Sequence, residues 1–149
     1  MSTGIDPKVL PHYVNDVILR CLAGVTKAER PQFLKIAYNG PKALEELASF
    51  DPSLVVGVLG GGAGTTRDCF ELLYQAERYG ARVALFGRKI NLAEDPLGMV
   101  AMMRQVADGT IAPAEAVKAY HGELQKQKIK PARSLEEDLI VTEAPLKAG

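Results

Sequence analysis

Tryptophan is absent from this 149-residue chain, histidine and cysteine occur only twice each, and neither charge sign prevails, with 18 Lys and Arg facing 18 Asp and Glu. Each shortage excludes a class of protein. Cys21 and Cys69 are too far apart for a CxxC metal motif and too few for a disulfide framework. They read as half-buried small hydrophobes in a reducing compartment. His12 and His121 lack ligand-like spacing and read as surface or packing residues, so no metal and no cofactor is expected. A formal net charge of zero argues against a protein that coats nucleic acid or an anionic membrane. No apolar run approaches the ~20 residues of a bilayer span. The opening Met-Ser-Thr-Gly-Ile-Asp has neither the basic region nor the apolar stretch of a signal peptide. The expectation is a cytoplasmic protein without membrane or nucleic-acid partners.

What is present is a repeating order of elements. Asp6-Pro7 reads as an N-cap and first helical position, followed by Val9, Leu10, Tyr13, Val14, Val17, Ile18, Cys21 and Leu22 on one helical face. Phe33 to Tyr38 is a short apolar run predicted as a strand, broken by Asn39-Gly40-Pro41. A helix carrying Leu44, Leu47 and Ala48 follows, then a strand over Leu54 to Leu59. A helix over about Arg67 to Tyr79 buries Phe70, Leu73 and Ala76, and Ala81 to Phe86 is a third strand. Helices over Pro96 to about Ala107 and Pro113 to about Gln127 come next, the latter with an apolar stripe of Val117, Tyr120 and Leu124. The charged tail from Lys128 to Gly149 is expected to wrap loosely or stay mobile, with Glu136-Glu137-Asp138 as a solvated helix face. Apolar strands alternating with helices predict α/β architecture, with a parallel sheet covered on both faces.

Three features could carry chemistry. Lys35 stands among apolar neighbours in a strand, where an unpaired buried ammonium is costly. Either its stem reaches water or a carboxylate, or desolvation leaves a neutral amine able to attack a carbonyl. Gly60, Gly61, Gly62 and Gly64 lie between a strand end and a helix start, where backbone N–H groups suit a phosphate. The run fits neither the P-loop nor the dinucleotide fingerprint, because Thr65-Thr66-Arg67 stands where those motifs need other residues. Gly87-Arg88 ends the next strand, with a guanidinium able to fork onto phosphate oxygens. In a parallel sheet all three converge on one rim. Tyr38 and Asn39 either line that pocket or, in the case of Tyr38, pack outward against a helix.

The segment Phe33 to Pro96 resembles the last three strands of the class I, Schiff-base-forming aldolases of the archaeal-type fructose-bisphosphate and deoxyribose-phosphate aldolase superfamily. Leu34-Lys35-Ile36-Ala37-Tyr38 is similar to the strand-six lysine motif, and Gly60-Gly61-Gly62 to the strand-seven phosphate loop. Phe86-Gly87-Arg88-Lys89-Ile90, followed by Asp95-Pro96, is similar to the strand-eight phosphate loop and its helix, with Lys89 where relatives commonly have asparagine. The resemblance implies parallel βα units corresponding to strands 6–8 of a TIM (β/α)8 barrel, with extra C-terminal helices, in one partial domain over 1–149. It implies Lys35 as the Schiff-base nucleophile and Gly61, Gly62, Gly87 and Arg88 as the holders of a substrate phosphate. The substrate would be a phosphorylated carbonyl compound.

Such a barrel takes ~250 residues, so the chain is expected to be about 100 residues short of one and to lack the general acid/base of earlier strands. Open sheet edges then predict a homo-oligomer or association with a complementary barrel part. The alternatives are a non-enzymatic phosphate- or nucleotide-binding module, in which Lys35 is structural or pairs with the ligand, and an inactive aldolase relative retained for interaction.

Overall fold

A computed structural model describes residues 4–6, 8–62 and 64–148. Helix α1 (Leu10–Ala23) leads into strand β1 (Phe33–Ile36), helix α2 (Pro41–Phe50), strand β2 (Val55–Leu59), helix α3 (Thr66–Arg78) and strand β3 (Val83–Leu85). One helical turn, α4 (Arg88–Asn91), precedes the longer helices α5 (Pro96–Ala107) and α6 (Pro113–Lys126). A short α7 (Leu135–Asp138) and a 3-10 turn (Ala144–Ala148) complete the chain.

The sheet is parallel throughout, in the order β1-β2-β3, with Lys35 opposite Gly57 and Leu59 opposite Leu85. Crossovers of one hand between sequential neighbours place both helices on the same face. Val56 and Val58 point into that face and are fully buried against Leu44 and Leu47 of α2 and Leu72 and Ala76 of α3. Among the described residues the opposite face is left open: Phe33 is 43% exposed, Val83 is 36% exposed, and Lys35 is exposed between them. The expectation of a sheet covered on both faces is therefore corrected. Three sequential strands supply only one helical layer.

Helix α3 is the centre of the molecule because it belongs to two cores. Leu72 and Ala76 face the sheet, while Cys69, Phe70 and Leu73 pack with Met99, Met103 and Val106 of α5 and Val117, Tyr120 and Leu124 of α6. The predicted stripes on α2, α3 and α6 are thus the buried ones. On α1 only Leu22 of the predicted face is buried, with Leu10, Val14 and Ile18 half-buried. Leu22 is in the core, whereas Val9, Tyr13 and Val17 are exposed and Cys21 faces solvent. Of the two thiols only Cys69 is buried. Helix α1 also starts later than expected: Val9 is its N-cap, the Asp6 carboxylate accepts from the Lys8 amide instead, and Pro7 lies outside the described residues.

The tail differs most from expectation, because it is pinned rather than loose. Leu146 is buried in the sheet-side core, and its carbonyl accepts from Gln75 Nε2 at 2.8 Å. Gln75 in turn accepts from the Tyr38 hydroxyl at 2.6 Å, so Tyr38 packs outward against α3. Further back, Asp68 accepts from the Thr142 amide at 2.7 Å and hydroxyl, and from the Glu143 amide at 3.3 Å. The segment 134–148 is a strap across the start of α3.

Replacing Asp68 by alanine removes the helix cap and orphans the strap's donors, at about 1 kcal/mol for the cap and 1–3 kcal/mol for buried unpaired groups. Asp68→Ala should lose about 2–4 kcal/mol in guanidinium unfolding, against under about 0.5 kcal/mol for an exposed control such as Glu136→Ala. Equal midpoints for the two would show that the strap carries no stability.

Candidate functional site

The C-terminal ends of the three strands open on one rim, as the parallel order requires. A groove of about 290 Å³ there is lined by Lys35, Leu59, Gly60, Gly61, Leu85, Gly87, Arg88 and Lys89. Four of the five residues singled out by sequence, Lys35, Gly61, Gly87 and Arg88, therefore share one cavity. Gly62 does not line it; it is exposed at the tip of the loop, where a Cβ would meet nothing within 4 Å.

The glycine run has more internal reasons than the sequence suggested. A Cβ on Gly60 would meet the Phe86 ring at 2.5 Å, and one on Gly64 would meet Asp68 Oδ2 at 2.5 Å. Gly61 has φ +63°, a conformation that glycine adopts without the strain of a side chain. Close packing and backbone geometry explain these three, so only Gly62 leaves space for close approach by a ligand.

The amides at the start of α3, which the sequence offers to a phosphate, are largely taken by the protein's own groups. Asp138 Oδ1 accepts from the Thr66 amide at 2.7 Å, and Thr65 Oγ1 accepts from the Asp68 amide at 3.1 Å. Asp68 Oδ2 closes the capping box by accepting from the Thr65 amide at 3.0 Å. These carboxylates complement the positive end of the helix. What remains of the anion-binding potential lies along Gly61–Gly62 and on Arg88.

Arg88 donates to the Gly61 carbonyl at 2.8 Å, so it bridges the β2 and β3 loops while its guanidinium stays exposed at the groove. Lys89 donates to the Gly64 carbonyl at 2.6 Å and stands behind the groove, facing Cys69, Asp68 and Asp138. Burial lowers its pKa, partly offset by the Asp138 and Asp68 carboxylates. The lysine that the fold desolvates is thus Lys89. Lys35 is exposed on the open sheet face, and the burial its carbonyl chemistry calls for is absent among the described residues.

Asp138 and His121 play parts that spacing could not reveal. The Glu136-Glu137-Asp138 run does present Glu136 and Glu137 to solvent, but Asp138 is 4% exposed. His121 Nε2 lies 3.0 Å from Asp138 Oδ2, which ties α6 and α7 to the start of α3. Burial pushes the Asp138 carboxyl up, but hydrogen bonds from Thr66 and His121, with Lys89 nearby, outweigh it and hold the group below the usual carboxylate range. In Asp68, burial is likewise outweighed by bonds from Thr142, Thr65 and Glu143. Burial first, with the Asp68 charge adding to it against the opposing pull of Lys89, pushes the Cys69 thiol up to about 12, so it is a packing residue rather than a nucleophile.

Among the described residues no group of three or more His, Cys, Asp or Glu is placed to hold a metal ion. No helix of the described chain is long and apolar enough to cross a membrane. The chain matches no protein-family profile and no curated protein.

Asp68 and Asp138 both titrate lower when folded than when unfolded. The stability they contribute is present above about pH 4 and is lost as the pH falls through their folded values. Unfolding midpoints measured between about pH 5 and 2 should drop steeply, and Asp138→Asn should make that drop shallower. An acid profile identical in the variant would remove Asp138 from the account.

Proposed function

We propose that this chain supplies the lysine-bearing part of an aldolase-type, Schiff-base-forming site for a phosphorylated carbonyl compound. The reading is carried by the convergence of Lys35, Gly61, Gly87 and Arg88 on one strand-end groove. The phosphate would lie against the Gly61–Gly62 backbone and the Arg88 guanidinium, with Gly87 leaving room for close approach. The Lys35 amine would add to the carbonyl carbon and release water, leaving an iminium that draws electrons from a breaking or forming C–C bond.

That amine must be neutral to attack, and covering the open face of β1 would supply the necessary desolvation. The same covering would pair the free edges of β1 and β3, which are exposed to association with other strands. The proposal therefore includes a second copy, or a complementary set of βα units, that continues the sheet toward a barrel. Light scattering should report a species larger than one chain, or a larger species once such a complementary chain is added. A stable monomer under both conditions contradicts this part.

A second reading is favoured by one observation. None of the eight residues lining the groove is a carboxylate, tyrosine or histidine, so beside Lys35 only Lys89, already bonded to the Gly64 carbonyl, is placed to move a proton. A module that binds phosphate or nucleotide without chemistry needs only the glycine loop and Arg88. Borohydride added with a panel of sugar phosphates separates the two readings. A reduced adduct on Lys35, absent in Lys35→Ala, is expected for the aldolase-type site. No adduct, with ligand-induced stabilisation kept in Lys35→Ala and lost in Arg88→Ala, is the signature of the binding module. At tenfold excess over Kd the stabilisation should reach about 3–6 °C.

A further inference from the structure

The strap that crosses α3 also delivers a carboxylate to the glycine loop. Glu143 Oε1 comes within 3.4 Å of where a Cβ on Gly61 would lie. With Asp68, Cys69 and Lys89, Glu143 lines a narrow crevice behind Gly60, Gly62 and Gly64. The side chain is half-buried and, among the described residues, makes none of the hydrogen bonds or ion pairs found for Asp68 and Asp138. Its backbone is held on both sides, by the Thr142 amide bonded to Asp68 at 2.7 Å and by Leu146 in the core. The backbone at Glu143 therefore cannot leave without unpinning the strap.

The Glu143 carboxylate oxygens reach solvent, since no buried side-chain oxygen among the described residues lacks a partner, and the charge stands beside Asp68 and against the loop whose amides are the remaining anion site. Its neighbours set its chemistry. From α3 it faces Asp68 and Cys69, and from α4 it faces Lys89, with the Arg88 guanidinium on the far side of Gly61. Burial first, and then the Asp68 charge, raises the Glu143 pKa against the opposing pull of Lys89.

We propose that Glu143 is the selectivity residue of the glycine loop, admitting an anion at Gly61–Gly62 only when its own carboxyl is protonated. The proton comes from solvent with the incoming anion and leaves with it, and no bond between heavy atoms changes. As a carboxylate behind the loop, Glu143 repels a phosphate group at Gly61–Gly62; as a neutral carboxylic acid, it no longer does. The inference rests on the phosphate reading of the groove, and adds that occupancy is coupled to uptake of one proton.

Sulfate is the probe, because unlike phosphate it keeps a constant charge across the range tested. Binding to the whole chain is measured by calorimetry at stepped pH for the natural protein, Glu143→Gln and Arg88→Ala. Gln is nearly isosteric and the replaced carboxylate accepts no hydrogen bond, so the fold is kept, which a melting curve checks. For the natural chain, sulfate affinity should fall about tenfold per pH unit above the Glu143 titration. Glu143→Gln should lose that slope and bind at least tenfold more tightly at neutral pH, while His121 and other groups act equally on both. Sulfate bound with the same pH slope in both proteins overturns the role of Glu143 and leaves the groove reading standing. No sulfate binding by either protein, or binding unchanged in Arg88→Ala, overturns the groove reading and this inference with it.

Discussion

The carboxylate of Asp68 is the point on which the other features depend. It closes the capping box of α3, the helix shared by both cores, and accepts from the Thr142 side chain and from two strap amides. One buried group thus fixes where α3 begins and where the strap lies. Its oxygen also leaves no room for a side chain on Gly64, which in turn shapes the loop beside the groove. A fully bonded buried carboxylate of this kind holds several elements in one arrangement, and partial satisfaction would leave costly orphans.

The one-sided sheet decides how the two lysines of the groove differ. Lys35 belongs to the open face and meets solvent. Lys89 follows β3, turns behind the loop and is desolvated by α3 and the strap. Arg88, bonded to Gly61, is exposed like Lys35, so of the three cations on the rim only Lys89 is partly enclosed. An anion at Gly61–Gly62 would touch the exposed cations first.

Most of the fold was legible because it rests on local periodicity. The stripes Leu44–Leu47, Phe70–Leu73–Ala76 and Val117–Tyr120–Leu124 predict buried helix faces, and they are buried. Apolar runs ending in glycine predict the three strands, although β1 stops at Ile36 and Tyr38 turns to α3 instead. The missed features are all long-range. Nothing adjacent to Asp138 in sequence distinguishes it from the solvated Glu136 and Glu137, and its partners Thr66 and His121 are remote. The covering of the sheet was also misjudged, since apolar residues on both faces of a strand show what could be buried and not what covers them. At the site, the spacing of Lys35, the glycine run and Gly87-Arg88 was enough to place four residues in one groove. It could not show that the chain's own packing accounts for three of the four glycines, or that Glu143 stands behind them.

The strap joins positions far apart in the chain: the Thr142 amide reaches an aspartate 74 residues earlier. Closing so long a loop costs conformational entropy before any contact compensates it, and contacts of high sequence separation form slowly. The start of α3 therefore has only its local Thr65–Asp68 capping box during synthesis, until the strap has been made. For that interval the glycine loop carries neither Asp138 nor Glu143, so the newly made chain and the finished one present anions with two different surfaces.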